Sequence, residues 1–304
     1  MKIAAAAYPI DWHNRWNEFV GKLRVWVRTA AENGAGLLVF PENGALELAS
    51  LAGEENAKDP ARAREAVSAR IRDVDELHAS LAREFGVHIC ASSGPLRAES
   101  GVKVSRARFF APSGAMGFQD KQSPSAFETE VEQISGGTVG RIFATDLGRI
   151  GVLPGGDAAF AAPALAMAAA GAEILLVPTC APDSRAFWRA RIAARARAVE
   201  TRCFVAQAVT VGEADWLATA TKNVGAAAVF APPEDGLPED GTVGSGKMNA
   251  AGWVYGEVDL EALRVARGAR PEPVPAAAFR VETVALGTLE AEPAQGSPAG
   301  SPTD

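Results

Sequence analysis

Three stretches of this chain could carry chemistry, and each sits at the end of a short apolar run. The first holds Glu42, in Leu37-Leu38-Val39-Phe40-Pro41-Glu42-Asn43-Gly44. A carboxylate directly after a buried strand end lies where α/β folds collect ligands. Alone, it reads equally as a loop acid or a helix cap. The second holds Lys121, followed by Glu128 and Glu130 in Phe127-Glu128-Thr129-Glu130. Lys is scarce, seven against 23 Arg, so a Lys after an apolar strand carries information. It can stabilise an oxyanion or hold two carboxylates ionised. A surface Lys with solvated glutamates is the plain alternative. The third runs from Gly148 to Asp157, through Leu153-Pro154-Gly155-Gly156-Asp157. It reads as a strand, a Gly-rich turn and a helix start. Such an elbow lifts one residue above the sheet edge on a strained backbone. Gly155 and Gly156 bring no reactive side chain, although backbone N–H groups there could face an anion. The plain alternative is a β–α turn whose glycines supply positive φ.

The elements that must position these residues alternate along the chain. Lys2 to Tyr8 predicts a strand. Trp12 to Asn33 predicts a helix, with Trp16, Phe19, Val20, Leu23, Trp26 and Val27 at helical spacing. Leu37 to Phe40 is an all-apolar run, the pattern of a strand buried on both faces. Pro60 to Phe85 predicts a second helix and Val87 to Ser93 a strand. Val102–Ala111 and Ala115–Asp120 form a hairpin around Pro112-Ser113-Gly114. Strand Arg149–Leu153 then leads into a helix from Asp157 to Ala170, with Asp157 as its N-cap. Strand Ala172–Pro178, helix Arg185–Arg202 and strands Phe204–Val209, Gly225–Phe230 and Trp253–Val258 follow. Leu260 to Gly268 is the last helix, and Ala231 to Gly244 reads as a surface loop. This alternation predicts α/β layers. One domain is expected over residues 1–288. Residues 289–304, rich in Pro, Gly, Ser and Glu, are expected to be a disordered tail.

Composition narrows the classes. The chain has 304 residues, with 37 acidic and 30 basic side chains and a formal charge of −7. That balance argues against a nucleic-acid partner. Hydrophobic content of 48% suffices for a large core. The apolar run from Ala158 to Ala172 is too short to span a bilayer. The N-terminus lacks the features of a signal peptide, so a soluble cytoplasmic protein is expected. Three cysteines cannot close a disulfide framework. Cys90 and Cys203 lie in apolar strand runs and read as packing. His13, His78 and His88 show no metal-ligand spacing, so neither a metal nor a cofactor is expected. Arg189, Arg191, Arg195 and Arg197 could bind an acidic substrate, but read better as a helix face with ion pairs, for example to Glu200.

Taken together, the segments resemble the nitrilase superfamily of carbon–nitrogen hydrolases. The resemblance runs from Ile3 to about Val258. It is carried by Leu38-Val39-Phe40-Pro41-Glu42, Asp120-Lys121, the stretch from Phe127 to Gly137, and Asp146-Leu147-Gly148-Arg149-Ile150-Gly151-Val152. Gly171 to Thr179 and Arg195-Ala196-Arg197-Ala198-Val199-Glu200 complete it, in the family's order. The resemblance implies an α-β-β-α four-layer sandwich that forms a homodimer or larger assembly. It implies hydrolysis of amides, nitriles or carbamoyl groups through a thioester. It assigns Glu42 as general base, Lys121 as oxyanion stabiliser and Glu128 as second glutamate, with Glu130 a rival in register.

The family's nucleophilic Cys falls on Gly155, and Gly156 takes the adjacent aromatic position. Asp157 and Phe160 match the downstream part, so Gly156 and Asp157 are candidate substrate contacts. Glycine has no group that can attack a carbon. A water activated by Glu42 would lack covalent catalysis and a positioned nucleophile, so a very large rate loss is expected. Gly at an elbow also relieves strain of about 1–3 kcal/mol. Cys180, after Val177-Pro178-Thr179, is the one other Cys that the fold would bring to the same edge. It needs an adjacent base or positive charge to become a thiolate. Three readings follow. The first is a degenerate homologue that binds a small amide-like or carboxylate ligand. The second is an active amidohydrolase with Cys180 as nucleophile. The third is a purely structural or interaction subunit, which predicts that Glu42 and Lys121 are not juxtaposed.

Overall fold

The first strand already dictates the layering. In β1 (Lys2–Pro9), Ile3, Ala5 and Ala7 face one apolar cluster, and Ala4, Ala6 and Tyr8 face another. Side chains alternate faces along a strand, so both sides of this strand are covered. The structure, a computed structural model, describes residues 1–269 and 280–286. The residues expected to form the tail, 289–304, lie outside the described residues.

Eight of the following strands continue the main path of the sheet with β1. They are β2 (Leu37–Val39), β3 (His88–Cys90), β4 (Gly94–Arg97), β5 (Lys103–Phe110), β7 (Val139–Thr145), β8 (Gly148–Val152), β9 (Ile174–Thr179) and β10 (Phe204–Glu213), while β6 (Met116–Asp120) pairs with β5 off that path. From β7 the order runs β8, β9, β10, β1, β2, β3, β5, β4. The pairs β8–β9, β9–β10, β10–β1, β1–β2 and β2–β3 are parallel. At the other edge, Arg280–Ala285 pairs in parallel with β7.

Helices cover both outer faces. Phe19, Leu23 and Val27 of α1 (Trp16–Glu32) cluster with Val67, Val74 and Leu81 of a helix at Pro60–Phe85 on the half built from β1, β2 and β3. Ala164 and Met167 of a helix at Ala161–Ala169, with Ala194 and Ala198 of one at Ser184–Thr201, cover Leu175, Val177 and Val205 of the other half. Between the halves lies the inner core, where Phe109 of β5 stacks on Phe143 of β7 at 4.9 Å. Three apolar cores thus separate four layers, α-β-β-α. Gly117 permits the approach, because a Cβ there would lie 2.5 Å from the Phe143 ring.

Several expectations need correction. The helix expected from Asp157 begins at Ala161, and Asp157 sits in a 3-10 turn at Gly155–Ala159. It is no N-cap, because its carboxylate instead accepts backbone N–H groups of Gln122 and Ser123, at 2.8 and 2.6 Å. The first helix starts at Trp16 rather than Trp12. The loop expected from Ala231 to Gly244 contains most of a strand, Thr242–Ser245, paired with Ala228–Phe230. Its half-exposed side chains leave no apolar run to read. Strand β7 carries Gly140 and Arg141 between its apolar residues and ends on Thr145, so it too leaves no clean apolar run. Cys90 and Cys203 are buried in the cores, and Arg197 pairs with Glu200 at 2.8 Å. No helix among the described residues is long and apolar enough to cross a membrane.

Candidate functional site

The sheet brings the ends of β2, β6, β8 and β9 to one place. Pro41 ends the β2 segment and delivers Glu42, 4% exposed. Asn43 then adopts a left-handed φ of 61° and turns the chain into a 3-10 segment, Gly44–Ala52. Lys121, 5% exposed, follows β6 directly. Glu128 lies on a short helix, Ala126–Glu130. Ser125 caps that helix through the Glu128 N–H, and the Glu128 carboxylate accepts from the Ser125 N–H in return. This capping box fixes the glutamate's place.

Lys121 Nζ lies 2.8 Å from Glu42 Oε1 and 2.8 Å from both Glu128 oxygens. Of the two rival glutamates, Glu128 meets Lys121, while Glu130 is exposed. Burial acts to raise the Glu42 carboxyl and outweighs the opposing pull of Lys121, so Glu42 sits above the ordinary range. Burial disfavours the Lys121 charge, but Glu42 and Glu128 together reverse that, and its ammonium is held above its ordinary value. Burial also pushes the Asp157 carboxyl up to about 6, against two backbone N–H bonds that favour its charge.

Gly155 has a φ of +54°, a left-handed conformation that favours glycine. The space beside it is taken. A Cβ on residue 155 would lie 2.1 Å from Glu42 Oε1 and 2.6 Å from its Cδ. The Glu42 carboxylate therefore stands where a side chain at this elbow would begin. A Cβ at Gly156 would meet the Ser123 carbonyl oxygen at 3.2 Å. Asp157 is 1% exposed, with both oxygens turned to the 122–123 backbone.

Cys180 reaches the same site, chiefly through its backbone, whose N–H donates to Glu42 Oε2 at 3.2 Å. Its thiol donates to Asn223 Oδ1 at 3.2 Å. Desolvation, reinforced by the Glu42 charge, pushes this thiol up to about 11. It is a neutral thiol at neutral pH. Sequence reasoning missed Asn223 and the Cys180 amide. Nothing in a sequence marks a backbone donor, and Asn223 lies in a two-residue strand.

A second buried cluster adjoins the site. Glu47, in the 3-10 segment after Glu42, accepts from Tyr8 at 2.5 Å, from Lys22 at 2.7 Å and from the Asp11 N–H at 3.3 Å. These bonds pin the segment that follows Glu42 to the end of β1.

The structure thus places a Glu–Lys–Glu cluster at the strand ends of an α-β-β-α sandwich, where the resemblance to carbon–nitrogen hydrolases leads one to expect it. The carbon-nitrogen hydrolase family matches residues 2–264, and the chain belongs to that family, within the nitrilase superfamily. The probable hydrolase YhcX of Bacillus subtilis (strain 168) is 29% identical over 266 residues. That match covers 87% of this chain and 51% of the relative, so the chain spans about half that protein's length. A carbon-nitrogen hydrolase from Helicobacter pylori G27 shares the fold at a TM-score of 0.71 and 17% identity, over 89% of this chain and 93% of that one. An amidase from Nesterenkonia sp. AN1, described with an active-site cysteine, does so at a TM-score of 0.64 and 19% identity, over 88% and 97%.

Proposed function

We propose that this protein is a carbon–nitrogen hydrolase homologue that has lost thioester hydrolysis. One observation carries the reading. The Glu42 carboxylate occupies the space in which any side chain on Gly155 would start, and by resemblance that is the position on which the family's nucleophile falls. A hydrolase of this kind needs a thiolate beside a free general base and a lysine able to meet the oxyanion. Here the Glu42 carboxylate fills the space beside residue 155 and the lysine is engaged by two carboxylates. Three free cysteines suit a reducing, cytoplasmic setting. Exposed Trp188, Ile192 and Val199 on one face of the Ser184–Thr201 helix suit a homodimer, which sedimentation tests.

The test of function is a hydrolysis panel of small amides, nitriles and carbamoyl compounds, read by ammonia release. No turnover above the buffer rate is expected. Robust turnover would refute the reading. If Cys180→Ala then abolished it, the relocated nucleophile would be correct. That second reading is favoured only by the closeness of Cys180 to Glu42, and its thiol at about 11 weighs against it.

A further inference from the structure

Glu42, Lys121 and Glu128 persist although the attacking atom is missing, and their contacts indicate what keeps them. Glu42 follows β2, Lys121 follows β6 and Glu128 follows soon after, all on the half of the sandwich covered by α1. Gly155 follows β8 and Cys180 follows β9, on the other half. Two sets of bonds cross between the halves in opposite senses. The Cys180 N–H donates to Glu42 Oε2. The Gln122 and Ser123 N–H groups donate to the Asp157 carboxylate.

The lysine of this cluster has no donor left over for a substrate. An ammonium has three donors, and Lys121 Nζ has three carboxylate oxygens at 2.8 Å. Both Glu42 oxygens accept from inside the protein, and so do both Asp157 oxygens. The Glu42 position that allows this is open only because residue 155 has no Cβ.

We infer that the inherited catalytic charges now act as a clasp fastening the two halves of the sandwich, with Gly155 as the residue that makes room for it. The inference rests on the reading of Gly155 as an emptied nucleophile position. It separates cleanly from a working site. Residues poised for a ligand or for chemistry commonly cost stability, so replacing them tends to stabilise. Removing one partner from a satisfied buried cluster leaves an uncompensated charge and destabilises.

The experiment is urea unfolding of the full chain, wild type against Lys121→Met, Glu42→Gln and the double variant. Lys121→Met is expected to lose at least about tenfold in the folding equilibrium constant. The double variant should lose less than the two single losses combined. A Lys121→Met protein as stable as wild type, or more so, overturns the clasp. A second cycle tests the seat at 155. Gly155→Ala should destabilise, and Glu42→Ala should relieve part of that loss. Strict additivity would overturn the role given to Gly155. If Lys121→Met cannot be recovered folded, hydrogen exchange of the wild type decides. The Cys180 amide should exchange in the slowest class, and rapid exchange by local opening would overturn the clasp. Amide turnover by the wild type would refute the functional reading without altering these stability outcomes.

Discussion

The Glu42 carboxylate stands where a side chain on residue 155 would begin, with Oε1 2.1 Å from the Cβ position of Gly155. One residue's absent side chain and another's buried charge are therefore a single structural fact.

Restoring the nucleophile alone should fail. Gly155→Cys must place a Cβ into Glu42 at a left-handed φ, which costs about 1–2 kcal/mol before any overlap is counted. The variant is expected to unfold at lower urea than wild type and to show no ammonia release from the panel. Recovered turnover at wild-type stability would show that Glu42 yields its place easily.

Asp157 should give stability a visible pH dependence. Its carboxyl titrates at about 6 in the fold against 3.8 for the ordinary group. Between those values the folded protein holds a proton that the unfolded chain has released. This contribution therefore rises as pH falls through the window and is smallest above about pH 6. Asp157→Asn removes the titration. Urea midpoints measured from about pH 4 to about pH 7 should show the wild type gaining on the variant toward acid. Parallel curves would contradict the assignment.

Cys180 should react slowly. With a thiol at about 11, its thiolate fraction near pH 8 is roughly a hundredfold below that of an ordinary cysteine. Alkylation by iodoacetamide, followed by peptide mapping, should be slow in the native protein and fast in urea. Rapid native labelling at neutral pH would point to an activated thiolate and favour the relocated nucleophile.

The inner core should be costly to open. Phe143→Ala removes a fully buried ring stacked on Phe109 and is expected to cost about 3–5 kcal/mol. Chemical denaturation measures it. A loss below about 1 kcal/mol would mean that the two halves can collapse around the gap.

How far the sequence could be read depended on what each feature leaves in it. Leu37 to Phe40 announced a buried strand because both faces are apolar, and that fixed Glu42 at a strand end. Lys121 stood out through the scarcity of Lys and its place after β6. The sequence leaves Glu128 and Glu130 as rivals, although Ser125-Ala126-Phe127-Glu128 carries the capping-box spacing that the structure uses. Asp157 as N-cap failed because a tertiary contact, the 122–123 backbone, claims its carboxylate. No local pattern records such a contact. The entry of Glu42 into the space at residue 155 was equally hidden, since it depends on two segments distant in sequence.

The most direct test of the central claim is the intact mass of the protein, acid-quenched during incubation with excess small amide. A thioester route must pass through a covalent acyl-enzyme, with the amine expelled as the acyl group joins the sulfur. With no nucleophile at Gly155 and a neutral thiol at Cys180, the mass is predicted to stay unchanged at every time point. An acyl increment that maps to Cys180 and disappears in Cys180→Ala would contradict the account.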